Sequence, residues 1–337
     1  MSPIIKYTIL IIALCSIPAF IALNYFAGEV ISPKRAKIQS YQQDIIDAPE
    51  NYGMSLTFKT CVDGQVPCVI AEPNPNFEYS RKGTILRNQL SEVNPDWESP
   101  LYPENLPTDQ QKKAHSTVII LQGKNSNKET FLSVAERFCA AGFRCIIPDL
   151  PAHGASSIKK CQYGAGEFER QIPQLIFNEL ADAGGYQDQP VHLWGMSMGG
   201  SFLAYAAAEK EALQQPNKWS SLTVLCSFGS LETVLDSKTP SSIRGLFKSV
   251  LKLRGFDIKS IKPIDVVGRI ETPLLMMHGT EDALIPLAQG EVLFEAYGSK
   301  KKQFISVPDA GHANILTTPM PLYAKMVEFM LENGRSK

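Results

Sequence analysis

The sequence lacks a dominant charge: 33 basic residues stand against 34 acidic ones, leaving a net charge of -1 over 337 residues. A chain so balanced presents no global field to attract nucleic acid, and nucleic-acid binding is set aside. There is no internal repeat, which excludes solenoid and propeller arrays. Histidine is scarce. With five in the chain, any imidazole base is one of His115, His153, His192, His278 and His312. What remains is ordinary globular material, 44% hydrophobic, enough for the core of one large domain or two ordinary ones.

Long apolar runs are also lacking, with one exception. Tyr7 to Phe26 passes 20 residues without a charged side chain. At about 1.5 Å per residue, such a helix spans roughly 30 Å, the hydrocarbon core of a bilayer. Residues 1–30 are therefore expected to form a single-pass N-terminal membrane anchor. A cleaved signal sequence is the competing reading, weakened by the length of the run and by the want of a small-x-small cleavage site. Lys6 on one side and Lys34, Arg35 and Lys37 on the other leave orientation undecided by charge. Cys61 and Cys68 flank an Asp63-Gly64 turn, where they would either bridge across a hairpin in an oxidising compartment or stay as half-buried thiols. The bridge reading tips the expectation towards an exported domain.

Beyond the anchor, residues 31–53 read as a linker or short helix, and 54–61 and 66–71 as two strands around the turn. Residues 72–115 show little periodicity and are punctuated by Pro73, Pro75, Pro95, Pro100, Pro103 and Pro107, which predicts an irregular insertion. From Ser116 onward, short apolar runs at 117–121, 145–150, 191–195, 222–227, 273–279 and 303–308 alternate with helical patterns at 128–141, 165–183, 198–211, 287–297 and 319–332. That alternation predicts an α/β domain over 54–337 with a mostly parallel sheet and helices on both faces.

Chemistry concentrates where these strands end. Gly195-Met196-Ser197-Met198-Gly199 is a G-x-S-x-G sequence between the strand VHLW and the helical run SFLAYAAAEK. A tight strand-to-helix turn needs glycine where a Cβ would clash, and it lifts the serine hydroxyl above the sheet. A serine needs a base, and the base needs a group to fix its tautomer. His312, in VPDAGHANIL after the last strand, is the candidate base. Asp282, in HGTEDALIP after the preceding strand, is the candidate acid, with Glu281 as its fallback and Asp309 read as a turn residue. His278 is expected to pack beneath the acid's loop and His153 to be structural or pocket-lining. His192 and His115 read as non-catalytic. The oxyanion donors are expected to be the backbone N–H of Met198 and, from the loop Gln122-Gly123-Lys124-Asn125-Ser126, that of Lys124, with Asn125 as the fallback.

These pieces, LQGKNS, PDLPAHGASS, GMSMGG, TPLLMMHGTEDALIP and VPDAGHANIL in that order, resemble the α/β-hydrolase superfamily over residues 53–329. Within it they are similar to the group of Bem46-like proteins, serine aminopeptidase-like hydrolases and monoacylglycerol lipases. The resemblance implies an eight-stranded, mostly parallel sheet, a Ser197–His312–Asp282 triad, an acyl-enzyme intermediate, and neither metal nor cofactor. The chain departs from the common pattern at Gln122-Gly123, where the family often has His-Gly. Residues 228–269 occupy the place of a small cap. Within them, 241–256 forms a basic amphipathic helix able to lie on a membrane, cover the pocket or pack on the domain's own surface. The implied substrate is a small-molecule or lipid-like carboxylic ester with an apolar acyl chain. Thioester or peptide cleavage, acyl transfer to an alcohol, and a silent binding or scaffold protein of this fold are the alternatives.

Overall fold

A computed structural model describes residues 20–74, 81–93, 114–212, 219–318 and 320–334. The first described segment is helical over residues 20–31 (α1). Helix α2 (Ser40–Asp47) follows, then the hairpin of β1 (Met54–Cys61) and β2 (Val66–Pro73), helix α3 (Arg81–Val93) and β3 (Ser116–Leu121). Next come α4 (Leu132–Ala140), β4 (Phe143–Pro148), α5 (Glu167–Gly184), β5 (Val191–Met196), α6 (Met198–Ala212) and β6 (Ser221–Leu225). The chain continues through α7 (Leu231–Lys238), α8 (Ser241–Leu253), β7 (Leu274–Gly279), α9 (Leu287–Ala296), β8 (Lys302–Val307) and α10 (Leu322–Gly334).

The eight strands form one sheet in the order β1-β2-β4-β3-β5-β6-β7-β8. Pairing is antiparallel from β1 to β2 and from β2 to β4, and parallel from β4 through β8. The inner strands β3 to β7 are short and mostly apolar because both their faces are buried, whereas the edge strand β8 is largely half-exposed. Along β3, Ile119 and Leu121 join one core with α5 and α6 residues such as Ile176 and Phe202. Val118 and Ile120 join the other, with α4 and α10 residues such as Phe138 and Met326. Strand order reverses between β3 and β5, and the crevice at the carboxyl ends of such a pair is where open α/β sheets bind ligands.

Several expectations change on contact with the structure. The stretch 72–115 is not irregular throughout: α3 lies within it and buries Leu86 and Leu90 against α4 and α10. Of the two readings of residues 31–53, linker or short helix, the structure forms the helix α2, whose Ile45 is buried in the second core. All six cysteines among the described residues are free and buried, Cys61 and Cys68 included. In the hairpin register Cys61 faces Val66 while Cys68 faces Lys59, so the two are diagonal and not directly opposite.

The expected anchor lies outside the described residues up to position 19. Among the described residues no helix is long and apolar enough to cross a membrane. From residue 20 the run continues as α1, which is amphipathic. Leu23, Ala27, Val30 and Ile31 join the first core, while Phe20, Ile21, Tyr25 and Phe26 are exposed. Polar contacts tie the helix down: Tyr163 Oη donates to the Val30 carbonyl at 2.9 Å, and Arg254 Nη1 donates to the Asn24 carbonyl at 2.7 Å.

Candidate active site

Strand β5 runs straight into α6 through Ser197, whose φ of +55° lies in the left-handed region. For a residue with a Cβ this conformation costs about 1–2 kcal/mol, and the surroundings hold it. Ser197 N–H donates to the Leu225 carbonyl at 2.8 Å, and its own carbonyl accepts from Gly200 N–H at 3.0 Å and from Ser227 Oγ at 2.9 Å. Glycine is obligatory on both sides. A Cβ at Gly195 would stand 2.4 Å from the Gly199 carbonyl oxygen, and one at Gly199 would stand 1.9 Å from that of Leu121.

The candidate acid Asp282 and candidate base His312 arrive on the loops after β7 and β8, at the same sheet edge. Asp282 is buried, and its Oδ1 accepts the N–H groups of Leu284 at 2.9 Å and Ile285 at 2.8 Å. Its Oδ2 lies 2.8 Å from His312 Nδ1 and 3.5 Å from His278 Nε2. Burial alone would raise the carboxyl's pKa, but hydrogen bonds from His278, His312 and the Ile285 N–H outweigh it and hold Asp282 well below the usual carboxylate range. His278 Nε2 is itself 2.8 Å from the Ile285 carbonyl, so it packs beneath the acid's loop as expected.

One neighbour escaped the sequence reading. Cys226, at the end of β6 with φ +45°, lies beside the pair: its thiol, an Asp282 oxygen and a His312 nitrogen all fall within 4.8 Å of one another. Burial, and then the Asp282 charge, push the thiol up to about 12 despite the opposing Gly279 backbone hydrogen bond. These three are the closest approach to a metal-ligand cluster among the described residues. Asp282 and His312 are already hydrogen-bonded to each other, and a thiolate ligand would have to form against that charge. No spacing in the sequence could have paired Cys226 with Asp282, because sheet order alone brings β6 beside β7.

The loop after β3 passes close over Ser197. A Cβ on Gly123 would lie 3.7 Å from that of Ser197, so Gly123 leaves room for the backbone to approach. Asn125 takes a φ of +62°, and Ser126 Oγ donates to the Gly123 carbonyl at 2.5 Å. The loop is pinned from below by Asp149, which accepts from Lys128 N–H at 2.8 Å, Lys128 Nζ at 2.8 Å and Ala155 N–H at 2.9 Å. Met198 opens α6, so its N–H is among those a helix leaves without an internal acceptor. Lys124 and Met198 both line the same cavity as Ser197 and His312, a space of about 640 Å³, within the range of small-molecule sites.

The remaining candidates are elsewhere. His153 is buried with Nδ1 2.8 Å from the Pro151 carbonyl, His192 sits 2.8 Å from Ser221 Oγ, and His115 lies 3.0 Å from the Ala141 carbonyl. Burial lowers the pKa of all three, that of His192 to about 3. Glu281 is exposed, and Asp309 is a turn residue with φ +57°. Of the cap, it is α7 that walls the cavity, through Leu231, Val234, Leu235 and Lys238. The basic helix α8 instead packs on the domain through Phe247, Val250 and Leu251.

The family described as alpha/beta hydrolase fold matches residues 116–248, from β3 into α8. Over those residues the chain is similar to the α/β-hydrolase fold family. It is 26% identical over 229 residues to the uncharacterized protein YqkD of Bacillus subtilis, a match covering 65% of this chain and 72% of that protein. Human alpha/beta hydrolase domain-containing protein 17B is 30% identical over 95 residues, covering 28% of this chain, so the chain spans about a third of that relative, 32% of its length. Among solved structures, the Pyrococcus furiosus esterase Pf2001 superposes with a TM-score of 0.59 at 15% identity, over 91% of this chain and 99% of that one. At that identity the likeness shows a shared fold.

Proposed function

We propose that this protein is a serine hydrolase of the α/β-hydrolase type that cleaves carboxylic esters with an apolar acyl chain. The observation that carries the reading is the 2.8 Å hydrogen bond from His312 Nδ1 to the buried Asp282, made at the rim of the cavity that Ser197 also lines. In this scheme Ser197 Oγ attacks the acyl carbon while His312 Nε2 takes its proton, and the carbonyl's electron pair moves to oxygen. The N–H groups of Met198 and Lys124 receive that oxyanion. The tetrahedral species collapses, the alkoxide leaves with the proton from His312, and water activated by the same imidazole releases the acid. Asp282 stays ionised, fixes the tautomer with Nε2 unprotonated, and stabilises the imidazolium. The apolar part of the cavity, with Val30, Phe228, Leu231, Val234, Leu284 and Ile285, suits an acyl chain. Each methylene buried there is worth about 0.8 kcal/mol, so kcat/KM should climb up to roughly fourfold per methylene until that arm is full. A series of p-nitrophenyl esters of rising length measures this; a flat series contradicts the acyl-arm assignment.

We also infer that the N-terminal run holds the chain at a membrane, with the hydrolase domain exported. Residues 7–19 alone reach only about 20 Å as a helix, short of the roughly 30 Å core. The exposed Phe20, Ile21, Tyr25 and Phe26 of α1 continue the apolar run beside the domain and would lie at the membrane surface. Carbonate extraction of membranes carrying the full chain tests the attachment: retention in the pellet is expected, and release contradicts an integral anchor. Protease accessibility in sealed spheroplasts tests the side.

A further inference from the structure

The cavity above Ser197 is lined by apolar residues from both faces of the sheet. Leu231 and Val234 belong to the core on one face of the sheet, and Phe131, Val134 and Tyr323 to the core on the other, so the cavity straddles the sheet edge. Four cationic side chains line it, Lys82, Lys124, Arg137 and Lys238, and among the described residues no aspartate or glutamate does. Two of the four are engaged: Lys82 pairs with Glu136 at 3.4 Å, and Lys238 Nζ donates to the Ala283 carbonyl. Arg137 is placed differently. Its Nη1 donates to the Ser133 carbonyl at 2.7 Å, and its guanidinium lies 4.4 Å above the Tyr323 ring centroid. Among the described residues it has no ion-pair partner. Stacking on the ring and the bond to its own helix hold the guanidinium plane in place, and its remaining N–H donors are left at the cavity wall.

Fixed, half-buried guanidinium donors without a carboxylate match an anionic oxygen group in geometry and sign. Resting on the hydrolase reading, we propose that the alcohol part of the substrate ester carries such a group, phosphate or carboxylate, which pairs with Arg137 while the acyl chain lies under α7. The reaction then breaks the acyl C–O bond and adds water across it, giving a free fatty acid and an anionic alcohol. The enzyme is a hydrolase of anionic acyl esters, and neutral glycerides are its poor substrates.

The test uses the full chain and three esters with one acyl group: monooctanoylglycerol, octanoylglycerol phosphate and O-octanoyl glycolate. For wild type, kcat/KM on at least one anionic ester should exceed that on the neutral ester by roughly tenfold to a hundredfold, the range of a charge-assisted hydrogen bond. The phosphate and glycolate arms show which anion is taken. Arg137→Gln should shrink that ratio to under about threefold, chiefly through KM, and Arg137→Lys should keep part of it. Octyl phosphate should inhibit wild type competitively and Arg137→Gln at least about tenfold more weakly. Equal turnover of neutral and anionic esters by wild type overturns the proposal and leaves the hydrolase reading standing. So does a thermally stable Arg137→Gln that loses activity on all three esters alike. Absence of turnover on all three, with no phosphonate labelling of Ser197, overturns both.

Discussion

Replacing Asp282 with asparagine isolates what the buried carboxylate contributes. Oδ1 accepts two backbone N–H groups, from Leu284 at 2.9 Å and Ile285 at 2.8 Å. In the Asp282→Asn variant the side-chain amide oxygen would keep that side, because only it accepts. The amide nitrogen then falls where Oδ2 stood, 2.8 Å from His312 Nδ1, and donates to it. An imidazole that accepts at Nδ1 carries its proton on Nε2, and so cannot take one from Ser197. The protein folds with nearly unchanged shape and the wrong tautomer. Loss of a triad carboxylate by this route lowers kcat by about 10⁴, or about 5.5 kcal/mol of transition-state stabilisation. The assay is steady-state hydrolysis of the best p-nitrophenyl ester, with active sites counted by titration, and KM should stay within about threefold. A variant that keeps more than about a tenth of wild-type kcat refutes the role given to Asp282. Stability supplies a second readout. The folded-state pKa of Asp282 is depressed, so its stabilisation is present above the unfolded value of about 3.9 and is lost as pH falls through the lower folded value. Denaturant melts should show wild type above Asp282→Asn at neutral pH, with the gap closing only in strong acid.

Other consequences concern the turn and its supports. Ser197→Gly and Ser197→Ala both remove the hydroxyl, but only alanine keeps a Cβ at φ +55°; the glycine variant should be more stable by about 1 kcal/mol in urea unfolding, and equal stabilities would argue against strain at the turn. Gly199→Ala places a Cβ 1.9 Å from the Leu121 carbonyl oxygen, backbone against backbone, so a loss of about 3 kcal/mol and a Tm lower by roughly 5 °C are expected by calorimetry; an unchanged Tm would contradict the packing described. Lys128→Met leaves Asp149, fully buried, without its 2.8 Å ammonium partner. It should cost about 3–5 kcal/mol in chemical denaturation, and a near-neutral result would mean that water reaches the carboxylate.

Much of the candidate site's geometry was legible because local rules and fold topology agree there. The inner parallel strands stood out as short apolar runs since both their faces are covered. Gly195 and Gly199 are dictated by van der Waals contact at the turn, so the G-x-S-x-G pattern carried geometry as well as composition. Asp282 and His312 could be placed because side chains after consecutive parallel strands emerge at one edge, β7 and β8 being neighbours. Where the reading fell short, the deciding term was tertiary. Helix α3 buries Leu86 and Leu90 one turn apart, a stripe too thin to stand out among prolines. The apolar run entering α1 is hydrophobic enough to read as a lipid-facing helix, yet from residue 20 onward one face of it packs on the domain. Within the cap, α8 has the stronger amphipathic pattern but α7 meets the cavity, because the inward stripe of α8 is spent on the domain's own core. Cys226 beside Asp282, and Arg137 over Tyr323, depend on neighbours distant in sequence and have no local signature.

Every step of the proposed reaction depends on Ser197 being an activated nucleophile. The most direct measurement is exposure of the full chain to a fluorophosphonate, read by intact mass and peptide mapping in wild type, Ser197→Ala and His312→Ala. One adduct per chain, mapped to Ser197, absent from Ser197→Ala and formed at least about a hundredfold more slowly in His312→Ala, is the predicted result. A folded wild type that takes up no probe, or an adduct that persists in Ser197→Ala, would contradict it.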